Sequence, residues 1–130
     1  MSYGPFHIYF GSQTGTAANY SQQLAEEAAK NGFAPKLIDL IDFDPKHFKS
    51  NKLVTFLMAT HGEGEPTDNA KFFNDWLIDI ERTEDDLKNT KFAVFGLGNK
   101  QYQFYNAQGR RVNQYLEKLG AERQGNLYIL

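Results

Sequence analysis

The chain contains no cysteine, which removes disulfides, thiolate nucleophiles, iron–sulfur clusters and cysteine-ligated zinc together. Four scattered prolines in 130 residues leave no proline-rich linker, and there is no internal repeat or low-complexity tract. Positive charge is not in excess. Fourteen Lys and Arg stand against sixteen Asp and Glu, for a net charge of −2, so the composition gives no reason to expect nucleic acid as a partner. No apolar run is long enough to span a bilayer. The opening "MSYGPFHIYF" lacks the basic start and long apolar stretch of a secretory signal. No membrane segment is read in this chain, and the expectation is a cytoplasmic or cytoplasmic-facing domain.

What is present is a core. Hydrophobic residues make up 41% and aromatics 15% of the chain, which suits one folded domain over residues 1–130. Short β-rich runs alternate with helical patterns. "FHIYF" at 6–10, "PKLIDL" at 35–40, "LVTFLMA" at 53–59, "KFAVFGLG" at 91–98 and "NLYIL" at 126–130 read as strands. Between the first two, Ala17, Tyr20, Leu24, Ala25 and Ala28 trace a helical face that "NGF" at 31–33 stops. "DPKHF" at 44–48 suits a short helical turn with Asp44 as its cap and Pro45 at the first position. Phe72, Phe73, Trp76, Leu77 and Ile80 mark another helix, and Val112, Tyr115, Leu116 and Leu119 a further one ending at Gly120. Five strands alternating with helices predict an open, doubly wound α/β sheet, which takes its ligand beyond the carboxyl ends of the strands.

Three strand ends open into unusual loops. "GSQTGTA", Gly11 to Ala17, offers three hydroxyls and two glycines but no cation. Backbone N–H groups at a helix start can hold a phosphate without one, although the same residues also make an ordinary polar cap. It is not a nucleoside-triphosphate P-loop, because the Gly-Lys-Ser/Thr ending is absent. "ATHGEGEPTDNA", residues 59–70, follows the most apolar strand. "GLGNKQYQFYN", residues 96–106, puts three aromatics in a connection that ought to be polar. Those aromatics suit either satellite core packing or a flat ring gripped on its face. One phosphate loop and two ring loops would together describe a mononucleotide site.

With these three motifs, in order over essentially the whole chain, the sequence resembles the flavodoxin-like FMN domain of NADPH–cytochrome P-450 reductase and its diflavin relatives. The resemblance implies a five-stranded parallel sheet of order 2-1-3-4-5 with bound FMN. It also implies electrons passed singly from a reduced FAD/NADPH reductase module to a haem or similar redox acceptor. Carried over residue by residue, Ser12, Gln13, Thr14, Gly15, Thr16 and Ala17 would hold the FMN phosphate. Ala59, Thr60, His61 and Gly62 would line the ring, and Leu97, Gly98, Asn99, Tyr102, Phe104, Tyr105 and Asn106 would cover its other face. Tyr102 matches the stacking tyrosine and Asn99 a hydrogen-bonding position. His61 stands where the cytochrome reductases carry a second tyrosine. The family continues with a Gly-x-Gly-Asp loop and a final helix, and with the FAD- and NADPH-binding half, none of which falls within these 130 residues. The expectation is therefore an excised FMN module, an electron carrier without an NADPH site of its own.

No residue here is expected to act as a general acid, nucleophile or metal ligand. His61, Glu63 and Glu65 are interleaved with Gly62 and Gly64, which favours a tight loop close to a ligand over a zinc site with rigidly spaced ligands. Residues 61–86 hold nine carboxylates against Lys71 and Arg82. This reads as an acidic rim that opposes extra negative charge on a reduced flavin and steers a basic partner. The competing reading is a docking domain of the same fold with weak or lost flavin binding. A phosphoacceptor receiver domain shares the sheet order, but "FGSQTG" and "ATHGEG" lack its acidic pair and its aspartate.

Overall fold

The computed structural model describes residues 4–11, 15–61, 65–83, 86–97, 107–123 and 128–129. In chain order these form β1 (Gly4–Gly11), α1 (Thr16–Lys30), β2 (Phe33–Asp39), a 3-10 turn (Leu40–Asp42), α2 (Pro45–Ser50), β3 (Leu53–His61), β4 (Glu65–Pro66), a second 3-10 turn (Asp68–Ala70), α3 (Lys71–Ile78), β5 (Lys91–Leu97), α4 (Ala107–Lys118), β6 (Glu122–Arg123) and β7 (Tyr128–Ile129). The sheet runs β2-β1-β3-β5, with β6 and β7 both parallel to β5 on its outer edge. Leaving aside β4, an antiparallel arm on the end of β3, and counting that outer edge as one strand, the order is the expected 2-1-3-4-5.

The all-parallel centre dictates burial on both faces. Along β3, Val54, Phe56 and Met58 enter the main core with α2, α3 and α4, while Leu57 joins Ile8 and Ala17 beneath α1. Thr55, polar but buried, donates its hydroxyl hydrogen to the Ala93 carbonyl of β5 at 2.9 Å. The main core is built on aromatics. Tyr9 of β1 stacks on Phe56 at 5.3 Å and 16°, and Phe56 on Phe73 of α3 at 5.1 Å and 20°. Phe48 of α2 meets Tyr9 edge-on at 5.6 Å.

Local signals set the helix ends. The Asp44 carboxylate accepts from the Lys46 N–H with Pro45 in the first turn, so α2 starts where the sequence predicts. At the end of α4, Gly120 adopts φ +97, its N–H reaches the Glu117 carbonyl, and the Ala121 N–H reaches that of Leu116. This paired closure needs a residue without a side chain at that point.

Two predicted helix faces are rotated from their expected setting. On α1, Ser21 is buried and Tyr20 is exposed. Ser21 satisfies its hydroxyl locally by donating to the Ala17 carbonyl at 2.7 Å, so a polar residue can occupy the inner face. On α3, Phe72 is 56% exposed and Ile80, beyond the helix end, is 99% exposed, while Asn74 is buried beside Phe73 and Leu77. The helix turns an amide inward because α4 supplies it with a partner, Gln108.

Tyr9 gives the core a pH dependence. Burial pushes its phenol up to about 12, with the nearby Asp44 charge adding and the hydrogen bond from Asn51 Nδ2 at 2.7 Å opposing. A raised folded-state value means stability fully present below pH 10, the ordinary value, and lost as pH climbs toward 12. Urea unfolding of the wild type should lose about 2–3 kcal/mol more over that window than Tyr9→Phe. Parallel pH profiles for the two proteins would show that Tyr9 ionises as freely in the fold as out of it.

Candidate functional site

Strand register brings the three candidate loops to one edge. Gly11, the last residue of β1, pairs with Met58 of β3, which pairs in turn with Gly96 of β5. Ala59 pairs with Leu97 one step further on. β1 and β5 thus end within one residue of each other and β3 runs two residues further, to His61, so all three strands end on the same edge of the sheet. That is where a doubly wound sheet takes a ligand.

Of the predicted site residues, Gly15, Thr16, Ala17, Ala59, Thr60, His61 and Leu97 fall within the described backbone. Ser12, Gln13, Thr14, Gly62, Gly98, Asn99, Tyr102, Phe104, Tyr105 and Asn106 lie outside it. Gly15 is the N-cap of α1 at φ +89 and ψ −4, and there is no carboxylate in the first turn. A left-handed cap is a glycine position. A fifteen-residue helix that begins without a side-chain cap or an acidic residue presents its positive end to the loop before it. Ala17 is fully buried against the sheet, so only its backbone can face that loop. Thr60 and His61 pair with Pro66 and Glu65 in an antiparallel arm, which folds the second loop back over the end of β3.

The return from that arm is held by a polar chain that the sequence reading missed. Thr67 Oγ1 donates to Asn69 Oδ1 at 2.6 Å, and Asn69 Nδ2 donates to Asp39 Oδ1 at 2.7 Å. The same Asp39 oxygen accepts from the Ile41 N–H at 3.0 Å. This ties the segment after the second loop to the end of β2, across the mouth of β1. Gly11 sits inside this closure: a Cβ there would stand 3.1 Å from Ala70 Cβ, 3.2 Å from Thr67 Oγ1 and 3.3 Å from Leu40 Cδ1. The sequence signal was the crowding of Thr67, Asp68 and Asn69 after Pro66, a turn signature with no visible partner.

The acidic run does not form one rim. Glu65 and Asp68 lie at the carboxyl end of the sheet, next to His61 and Gly11's neighbours. Asp86 lies at the opposite end. The chain there is joined to the start of β3 through Lys91 N–H to the Lys52 carbonyl at 2.8 Å, and to the end of α4 through Leu87 N–H to the Leu119 carbonyl at 2.9 Å. Asp86 accepts from the Thr83 N–H at 2.9 Å, and Lys49 Nζ stands 3.7 Å away. That hydrogen bond first, then the Lys49 and Arg82 charges, hold its carboxyl below the usual range. Asp86 is a turn cap, far from the candidate site.

A cavity of about 350 Å³ lies elsewhere, between β1, β2 and α2, lined by His7, Lys36 and His47 but also by Asp42 and Asp44. Burial lowers the His7 pKa, and Lys36 and His47 lower it further. Carboxylates facing cations make this a poor phosphate pocket.

The parallel sheet, with the carboxyl ends of β1, β3 and β5 on one edge, defines a doubly wound α/β domain. The chain belongs to the flavodoxin family, whose profile matches residues 8–129. It is similar to NADPH–cytochrome P450 reductase of Homo sapiens, 47% identical over 121 residues that cover 89% of this chain and 17% of that protein. The Dictyostelium discoideum reductase is 45% identical over 117 residues, covering 89% of this chain and 18% of the relative. The chain thus spans about a sixth of the length of these relatives. Among solved structures, oxidised Flavodoxin 1 from Bacillus cereus superimposes with a TM-score of 0.81 at 19% identity, covering 97% of this chain and 83% of that one. A flavodoxin mutant from Pseudomonas aeruginosa gives 0.78 at 21% identity, with 97% and 83% covered.

Gly11→Ala should lower unfolding stability by about 1–3 kcal/mol through overpacking against the second loop's return arm. Ala70→Gly in the same chain should recover part of that loss, because it removes the nearest clashing atom. Urea midpoints of the two single variants and the double variant check this, and strictly additive losses would mean the two positions do not touch.

Proposed function

We propose that this chain binds one FMN at the carboxyl edge of β1, β3 and β5 and serves as the FMN module of an NADPH-dependent diflavin oxidoreductase. Electrons would arrive from an FAD/NADPH reductase module and leave to a haem or similar acceptor. The observation that carries the reading is the ending of three adjacent strands on one edge of the sheet, with the acid-free start of α1 behind the first. Similarity to NADPH–cytochrome P450 reductases over 89% of the chain supports it.

Bound FMN supplies one-electron redox chemistry. The chain's own residues bind and orient. Ser12, Thr14 and Thr16, with the first N–H groups of α1, neutralise the phosphate by hydrogen bonding without a cation. Tyr102 would cover one ring face together with Leu97, Gly98, Asn99, Phe104, Tyr105 and Asn106, and Ala59, Thr60, His61 and Gly62 would line the ring and its edge. Glu65 and Asp68 leave negative charge near the site, which disfavours further negative charge there and attracts a basic partner surface.

Titration of apoprotein with FMN should saturate at one site per chain. Riboflavin should bind more weakly, because it lacks the group the first loop holds. No saturable binding at high micromolar flavin would leave a docking domain of the same fold, and equal affinities would remove the first loop from the site. Tyr102→Ala should weaken FMN by about 1–3 kcal/mol through lost ring contact. An unchanged dissociation constant would make Tyr102 a packing residue.

A further inference from the structure

Two buried amides, one from each helix, meet where α3 packs on α4. Asn74 lies beside Phe73 and Leu77, and Gln108, fully buried, lies on the same helix as Val112 and Leu116. Gln108 Nε2 donates to Asn74 Oδ1 at 3.1 Å. Arg111 Nη1 donates to Gln108 Oε1 at 2.8 Å and lies 3.5 Å from Asn74 Oδ1. Arginine can only donate, so it dictates which end of each amide faces it. Both oxygens turn toward the guanidinium, and the Gln108 nitrogen is left pointing at Asn74. The triangle has one arrangement.

An apolar pair at these positions would adhere at least as well, since buried polar groups stabilise little beyond the cost of burying them. What a polar network between the two helices adds is a single register. That register matters because of where the amides sit. Gln108 is the second residue of α4, immediately downstream of residues 98–106. Asn74 is in the first turn of α3, which follows the return arm of the second loop. The network therefore joins the downstream stems of the two loops that would hold the ring.

We propose that Asn74, Gln108 and Arg111 are positioning residues that lock the start of α4 against the start of α3, and so fix the downstream stems of the two ring loops. The proposal rests on the FMN reading above for its ligand, although not for its mechanics.

The test compares Gln108→Leu and Asn74→Leu with Val112→Ala, a buried position one turn along α4 that removes apolar packing but no polar group of the triangle. Gln108→Ala gives the same comparison where leucine overpacks. Variants are compared at matched urea midpoints. Each amide variant should weaken FMN about tenfold and riboflavin by the same factor, because the brace acts on the ring loops and not on the phosphate loop. In the apoprotein, tryptic cleavage after Lys100 should be at least fivefold faster than in Val112→Ala. The double variant Asn74→Leu/Gln108→Leu should be no worse than either single one. If Val112→Ala weakens FMN and speeds cleavage equally, the amides are ordinary packing and the proposal falls. It falls equally if FMN affinity drops while riboflavin affinity is untouched. If the wild type binds no flavin, the FMN reading fails alone, and the cleavage ratio still decides whether the brace exists.

Discussion

The stack of Tyr9 on Phe56 on Phe73 is the constraint from which the rest of the domain follows. Tyr9 and Phe56 are register partners in adjacent parallel strands, so their contact fixes β1 against β3 to the residue. A slip of one residue would send every side chain of a strand to the opposite face, exchanging the aromatic core for the α1 side. The third ring, from α3, and the edge-on Phe48, from α2, commit two helices to the same face. With that register set, Gly11 must end level with Met58 and Gly96, and β1, β3 and β5 must all end on one edge. The candidate edge is a consequence of packing deeper in the core.

Much of this was legible in the residues, and the reasons are local. "LVTFLMA" announces a strand covered on both faces, and Asp44-Pro45 announces the start of a helix. What pattern reading could not see is polar burial. Ser21, Asn74 and Gln108 look like solvent-facing residues until their partners are known, and the Gln108–Asn74 partners lie 34 residues apart. The rotations of α1 and α3 follow from these cases, since an inward amide or hydroxyl displaces an expected apolar residue such as Phe72 or Tyr20. The arm Glu65–Pro66 was invisible for a related reason. A proline argues against a strand, yet this one pairs with Thr60 on an edge, where proline is tolerated.

The candidate site divides in the same way. Its stems are set by register and could be read from the strands. The residues that brace the segments beside those stems, Thr67 and Asn69 with Asp39, and Asn74 with Gln108 and Arg111, are hydrogen-bonding side chains with distant partners. Both networks begin in residues 67–74, after the β4 arm. One ties that segment to the end of β2, and the other ties it to α4.

Geometry also revises what the acidic run can do. From His61 at the carboxyl end, the chain returns through α3, and Asp86 falls beside the start of β3. Nine residues of β3 separate the two ends, roughly 27 Å at strand spacing. A unit charge at ~8 Å in an effective dielectric of ~20 is worth roughly 2 kcal/mol, on the order of 0.1 V for a one-electron step. At roughly 27 Å the same charge is worth about a third of that before screening, and a Debye length of about 8 Å reduces it to a few per cent. Lys49 beside Asp86 cancels much of what is left. Any tuning of a ring at the carboxyl edge by this run must therefore come from its first carboxylates, Glu63, Glu65 and Asp68. Asp68 itself is offset by Lys71, with Nζ at 3.7 Å, though both side chains are well exposed and the pair is weak. Asp79 and Asp86 serve the turn that returns the chain to β5: Asp79 accepts from the Glu81 N–H at 2.9 Å, as Asp86 does from Thr83. One stretch of negative sequence is thus split between opposite ends of the sheet.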